Sequence, residues 1–171
     1  DVNDFTLTDE HLVSPLVTGT EGACELEMDV TPNKAQTVGF QLLNDKGEKV
    51  DIYLDLKSGR IVMDRSQSGL TAFGEKSEPH FKETDDHRKV LSVNYVNDFA
   101  LGTWAPLSLC EGKTYHLDVF VDKCSVEIFV DGGRIAMTNL VFPTQPYNAL
   151  RFYTQGGEAE VKNLKVHQLG L

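Results

Sequence analysis

Carboxylates are the first place to look for chemistry in this chain: it carries 26 acidic residues against 16 lysines and arginines, with five histidines. Glycoside hydrolysis needs two carboxyl groups flanking one bond, one of them held protonated at neutral pH. Glu127 stands out because it interrupts the apolar run Val126–Val130. An outward-facing strand residue fits the same position. Asp64-Arg65-Ser66 sets a carboxylate, a planar guanidinium and a hydroxyl side by side, a combination suited to hydrogen-bonding sugar hydroxyls. Arg65 equally fits a structural ion pair. Asp85-Asp86-His87 points toward a metal but lacks the glycine and the spacing of a calcium loop. A solvated acidic turn accounts for it, so neither a metal nor a cofactor is expected. No Gly-x-Ser-x-Gly elbow is present, and His11, His80, His87, His116 and His167 never fall in a His-Glu-x-x-His spacing. The glycines stand in turn contexts rather than before a helix. Serine-hydrolase, zinc-protease and phosphate-cradle chemistry all lack their motifs.

The elements that must position these side chains are strands. Cys24, Leu26, Met28 and Val30 alternate with Glu25, Glu27 and Asp29, the pattern of a half-buried strand with an acidic outer face. Val38, Phe40 and Leu42 form the next inward set. Beyond the turn Asn44-Asp45-Lys46-Gly47, Val50, Ile52, Leu54 and Leu56 alternate with Asp51, Tyr53 and Asp55. Lys57-Ser58-Gly59 then turns the chain into Arg60–Asp64, giving a three-stranded meander. The second half repeats the logic. Tyr115–Val121 and Val126–Val130 are joined by the tight connection Asp122-Lys123-Cys124, and Asp131-Gly132-Gly133 tolerates the positive φ of the next hairpin. Strands over Ile135–Asn139, Leu150–Thr154 and Ala159 to about Leu169 follow. The apolar phase of the last one shifts between Val161 and Leu164, which predicts a bulge near Lys162-Asn163. No amphipathic helix is evident. The fold class expected is all-β, a two-sheet antiparallel β-sandwich of the jelly-roll or lectin-like kind, as one domain over residues 1–171. Two stretches break the rhythm. Ser66–Lys89 is a polar excursion that fits either a functional loop or a lobe covering a sheet edge, and Asn97–Pro106 holds the single tryptophan, Trp104.

The net charge of −10 disfavours nucleic acid or an anionic membrane as partner. No apolar stretch approaches the roughly 20 residues of a membrane-spanning helix. Cys24, Cys110 and Cys124 are odd in number and match no zinc spacing. Cys24 reads as a small buried hydrophobe, and one pair among the three remains able to bridge. The opening Asp1-Val2-Asn3-Asp4 has no initiator methionine or apolar leader, so the chain reads as a mature or excised piece of something longer.

Two of these segments carry a resemblance. Ile61-Val62-Met63-Asp64-Arg65-Ser66-Gln67-Ser68-Gly69 resembles the aspartate-arginine-serine segment in the C-terminal domain of glycoside hydrolase family 32, the family of levanases, inulinases and invertases. Val121-Asp122-Lys123-Cys124-Ser125-Val126-Glu127-Ile128-Phe129-Val130-Asp131-Gly132-Gly133 is similar to the second hallmark of that domain, with Lys123 and Cys124 in place of the usual arginine and serine. Thr138–Pro143 and the terminal strand fit as well. The resemblance implies a β-sandwich appended to a five-bladed propeller in a secreted, extracellular or periplasmic, fructan hydrolase. That propeller carries the nucleophile and acid in Trp-Met-Asn-Asp-Pro-Asn, Arg-Asp-Pro and Glu-Cys-Pro motifs, and none of the three occurs here. The implied role is non-catalytic: a domain that stabilises a catalytic propeller of the same parent chain. The alternative comes from carbohydrate-binding module family 66, a related sandwich that binds the terminal fructose of levan. It is a fructan-binding module, for levan or inulin, with Asp64, Arg65 and Glu127 as the candidate fructose ligands.

Overall fold

A computed structural model describes residues 2–16, 18, 19, 22–69, 80–83, 89–92, 103–110 and 112–169, with backbone pairing alone for 80–83 and 89–92. Fourteen strands are present among them: β1 (Phe5–Leu7), β2 (Glu10–Val13), β3 (Cys24–Thr31), β4 (Thr37–Leu43), β5 (Lys49–Asp55), β6 (Arg60–Gln67), β7 (His80–Glu83), β8 (Lys89–Ser92), β9 (Thr103–Pro106), β10 (Tyr115–Asp122), β11 (Ser125–Val130), β12 (Ile135–Leu140), β13 (Ala149–Gln155) and β14 (Ala159–Gln168). Twelve form two antiparallel six-stranded sheets. Sheet I runs β1-β14-β3-β10-β11-β12 and sheet II runs β2-β13-β4-β5-β6-β9, while β7 and β8 pair as a separate hairpin. The expected all-β sandwich is thus the observed fold.

Alternation decides which residues meet between the sheets. In β3 the even positions from Cys24 to Val30 are buried and the odd ones half-buried; β5, β10 and β11 alternate the same way. The inner faces bring Leu26, Met28, Val119 and Ile128 of sheet I onto Phe40, Ile52, Ile61 and Phe152 of sheet II, all at most 1% exposed. Each such side chain contributes about 1.5–3 kcal/mol on burial. The predicted meander is β4-β5-β6, and the second is β10-β11-β12. The bulge is also where the phase shift put it, with the β14–β3 register slipping between Lys162 and Lys165 and Asn163 at φ 55°. Asp131 (φ 50°), Gly132 and Gly133 make the left-handed turn between β11 and β12.

Consecutive strands are shared out between the sheets at both termini. β1 pairs with β14 in sheet I and β2 with β13 in sheet II, so the two chain ends sew the layers together. Polar links reinforce the join elsewhere. The buried Asn139 Nδ2 of β12 donates to Thr103 Oγ1 of β9 at 2.7 Å. All three cysteines are free; Cys24 is buried, as expected, and burial pushes its thiol pKa up to about 11. The Ser66–Lys89 excursion holds the end of β6 and strand β7. Asp85-Asp86-His87 lies outside the described residues.

Candidate functional site

Strand register arranges the outer face of sheet II as a grid. One row reads Glu10, Tyr153, Gly39, Tyr53, Val62, Trp104 across strands β2, β13, β4, β5, β6 and β9. The neighbouring row reads Leu12, Arg151, Gln41, Asp51, Asp64. Gly39 leaves no side chain between the two tyrosines. A Cβ there would meet the Ile52 backbone oxygen and stand 2.5 Å from Tyr53 Cβ and 2.8 Å from its Cα, so any side chain would push β5 away. The result is a depression of about 520 Å³ whose lining includes Tyr53, Tyr153, Gln41, Arg151, Asp51 and Asp64, with Asp9 and Glu10 at one end.

Acidic groups dominate its electrostatics. Among the described residues, Asp9, Glu10, Asp51, Asp55 and Asp64 face it against the guanidinium of Arg151, a balance that disfavours anions. Tyr153 Oη donates to Asp51 Oδ1 at 2.6 Å. Desolvation raises the Asp51 carboxyl above its ordinary range, and Asp64 beside it adds to the rise. The hydrogen bonds from Tyr153 and Gln41 only partly offset this. Burial and then the Asp51 bond push the Tyr153 phenol far up, and burial with the surrounding aspartates raises Tyr53. Both phenols therefore remain donors at any physiological pH. Among the described residues, neither an imidazole nor a thiol lines the depression.

The three residues singled out from sequence part company in the structure. Asp64 faces the depression, and its Oδ1 also accepts from Ser66 N at 2.8 Å. This local turn accompanies the register shift between β5 and β6, where Asp51 faces Asp64 but Lys49 faces Gln67. Arg65 has the inward parity of Ile61 and Met63. Its Nη1 donates to Leu140 O at the end of β12 at 2.8 Å, tying the two sheets together. Glu127 lies on the outer face of the other sheet, between Phe120 and Thr138 of adjacent strands. Asp64 and Glu127 are thus separated by the sandwich itself, whose layers stack about 10 Å apart. Asp51, Tyr53, Gln41, Arg151 and Tyr153 were not among the sequence candidates. Alternation marks Asp51 and Tyr53 as outward, but which strands flank them is a property of the sheet order.

Comparison with known proteins agrees with the fold. The family described as "Glycosyl hydrolases family 32 C terminal" matches residues 2–168. A levanase of Bacillus sp. (strain L7) is 29% identical over 153 residues, covering 88% of this chain but 14% of the levanase. The chain therefore spans a small part of the relatives it matches. Among solved structures, exo-inulinase from Aspergillus awamori superposes with a TM-score of 0.71 at 21% identity, over 98% of this chain and 28% of that one. The carbohydrate-binding module CBM66 from Bacillus subtilis superposes at 0.51 with 11% identity, over 94% of this chain and 83% of that one. These two likenesses are likenesses of fold, in one case to part of a longer enzyme chain and in the other to a binding module. With a family match running almost end to end over a two-sheet sandwich, the chain belongs to the C-terminal domains of the family 32 glycosyl hydrolases.

Proposed function

We propose that the chain is the non-catalytic sandwich unit of a secreted fructan-cleaving glycosidase, and that it stabilises a catalytic propeller in the same polypeptide. The observation that carries this reading is the family match over residues 2–168 in a chain with none of the three catalytic motifs. The test compares the intact parent polypeptide with a form lacking residues 2–168. Loss of soluble yield and a lowered melting temperature of the catalytic unit are expected. Unchanged stability and turnover in the truncated form would remove the reading.

A second reading rests on the depression of sheet II, as a site for the terminal fructose of levan or inulin. Asp51, Asp64 and Gln41 accept from or donate to sugar hydroxyls, Arg151 supplies a planar donor, and the tyrosines flank the ring. This reading keeps Asp64 and replaces Arg65 and Glu127 with Arg151 and Asp51. Calorimetric titration with fructose, levanbiose and short inulin oligomers tests it. Saturable heat that Arg151→Ala abolishes and Arg65→Ala leaves intact is the expected result. No heat from folded protein at millimolar sugar would leave the structural role alone.

A further inference from the structure

The outer face of sheet I, on the far side of the sandwich from the depression, holds a different chemistry. His116 of β10 is gripped on one side by Asp29 of β3, with Nδ1 2.7 Å from Oδ1. Asp29 is itself held, its Oδ2 accepting from Asn163 Nδ2 at 2.8 Å. The Asn163 backbone N–H in turn donates to Asp4 Oδ1 at 2.9 Å. A carboxylate accepting from Nδ1–H fixes the tautomer that leaves the Nε2 lone pair available, the arrangement by which metal-binding histidines are oriented. Nε2 faces Asp118, 3.5 Å from its Oδ1. That oxygen is shielded from solvent and accepts no hydrogen bond. Glu27, directly opposite Asp118 in the β3–β10 register, completes the group, and His167 Nε2 lies 3.0 Å from its Oε2. One donor atom each from Glu27, His116 and Asp118 lies within 4.8 Å of the others.

We propose that Glu27, His116 and Asp118 bind one divalent transition-metal ion of the zinc class, clamping β3 to β10, with Asp29 and His167 orienting His116 and Glu27. Ligands around tetrahedral zinc stand roughly 3.3 Å apart, given bond lengths near 2.0–2.2 Å. Small rotations of these partly exposed side chains close the difference. An imidazole with two carboxylates selects zinc, nickel or copper over calcium or magnesium, which take oxygen ligands in larger number. Plain ion pairing of a protonated His116, through Nδ1 to Asp29 and through Nε2 to Asp118, is the competing account, and metal titration separates the two. The shielded Asp118 oxygen, the imidazole held by Asp29 and the Glu27 carboxylate converge within 4.8 Å of one another, a span that one ion can close.

The test titrates the untagged chain, with Cys110 and Cys124 alkylated so that thiols take no metal, with Zn²⁺ alone at neutral pH and with Ca²⁺ and Mg²⁺ in parallel. One equivalent of Zn²⁺ is expected by native mass spectrometry and calorimetry, with a melting temperature that rises and returns on chelation. Ca²⁺ and Mg²⁺ are expected to have no such effect. Asp29→Asn is expected to weaken Zn²⁺ binding about tenfold or more through loss of orientation, and His116→Gln to abolish it. Glu27→Gln, an isosteric change on the surface, puts the same question should His116→Gln fail to fold. Absence of a stoichiometric complex, an equal response to Ca²⁺, or binding that survives unchanged in the folded ligand variants would each overturn the proposal.

Discussion

Asp51 shows how a side chain can be placed at a cost to stability. Its carboxyl is raised by desolvation and by the facing Asp64, so in the folded state it holds its proton to higher pH than in the unfolded chain. The unfolded state then binds fewer protons across the interval above the ordinary value of 3.8, and stability falls as pH rises through it. Asp51→Asn keeps an acceptor for Tyr153 and removes the charge. The variant is expected to melt higher than wild type at pH 7 by a few degrees, about the shift that 1 kcal/mol makes in a domain of this size. The gain should vanish once pH falls below the ordinary carboxylate value. Calorimetric scans at several pH values check the sign, and a stabilised variant that no longer gives heat with fructose would mark Asp51 as a binding residue. Arg65 is the converse case. Removing the guanidinium that bonds Leu140 O costs about 1.5–3 kcal/mol, as for a hydrogen bond to a charged group. Arg65→Ala is expected to lower the melting temperature by roughly 3–12 °C while leaving any sugar titration unaltered, which thermal unfolding and calorimetry together measure.

At the scale of elements, the β4–β5 pairing sets the depression. Gly39 lies between Tyr153 and Tyr53 in register, and its missing Cβ is what lets β5 bring Tyr53 so near. Gly39→Ala forces strand or ring to shift, an overpacking change that costs about 1–3 kcal/mol. The expected outcome is a lower denaturant midpoint with an unchanged slope, together with an altered tyrosine near-UV signal. A variant as stable as wild type would show that the strands separate freely there. The β5–β6 hairpin is a second element-scale device: its unbroken register from Asp55–Arg60 puts Asp64 opposite Asp51, and only beyond that pair does a shift bring Gln67 to face Lys49. Alternation alone marks Asp64 as outward, whereas its partner across the strand gap is set by the register of the β5–β6 hairpin.

Across the whole molecule, the ends of the chain carry its interior. β14, from Ala159 to Gln168, is not an edge but the strand between β1 and β3, and its Ala159, Val161 and Leu164 are at most 1% exposed. Removing residues 159–169 opens sheet I and exposes β1 and β3 together. The truncated chain is expected to lose cooperative thermal unfolding, which calorimetry detects as the absence of a heat-absorption peak. Retention of a single sharp transition would show that the sandwich closes without its last strand. What the amino-acid sequence determined by itself is the longer strands, β3–β6 and β10–β14, and their buried faces. The period-two alternation in β3–β6, β10, β11 and β13 is written in consecutive residues, and so are the left-handed turn at Asp131-Gly132-Gly133 and the bulge at Asn163. Both family hallmarks are contiguous segments as well. The short β1, β2, β7, β8 and β9 were not legible, because three or four residues hold too little alternation to register. Neither was the site. Asp51, Tyr53, Arg151 and Tyr153 meet only because β13 and β5 flank β4, and Asp64 and Glu127 part because their strands enter opposite sheets. Alternation tells a side chain whether it faces in or out; which other side chains share its face is decided by long-range strand pairing, and only the tertiary structure contains that.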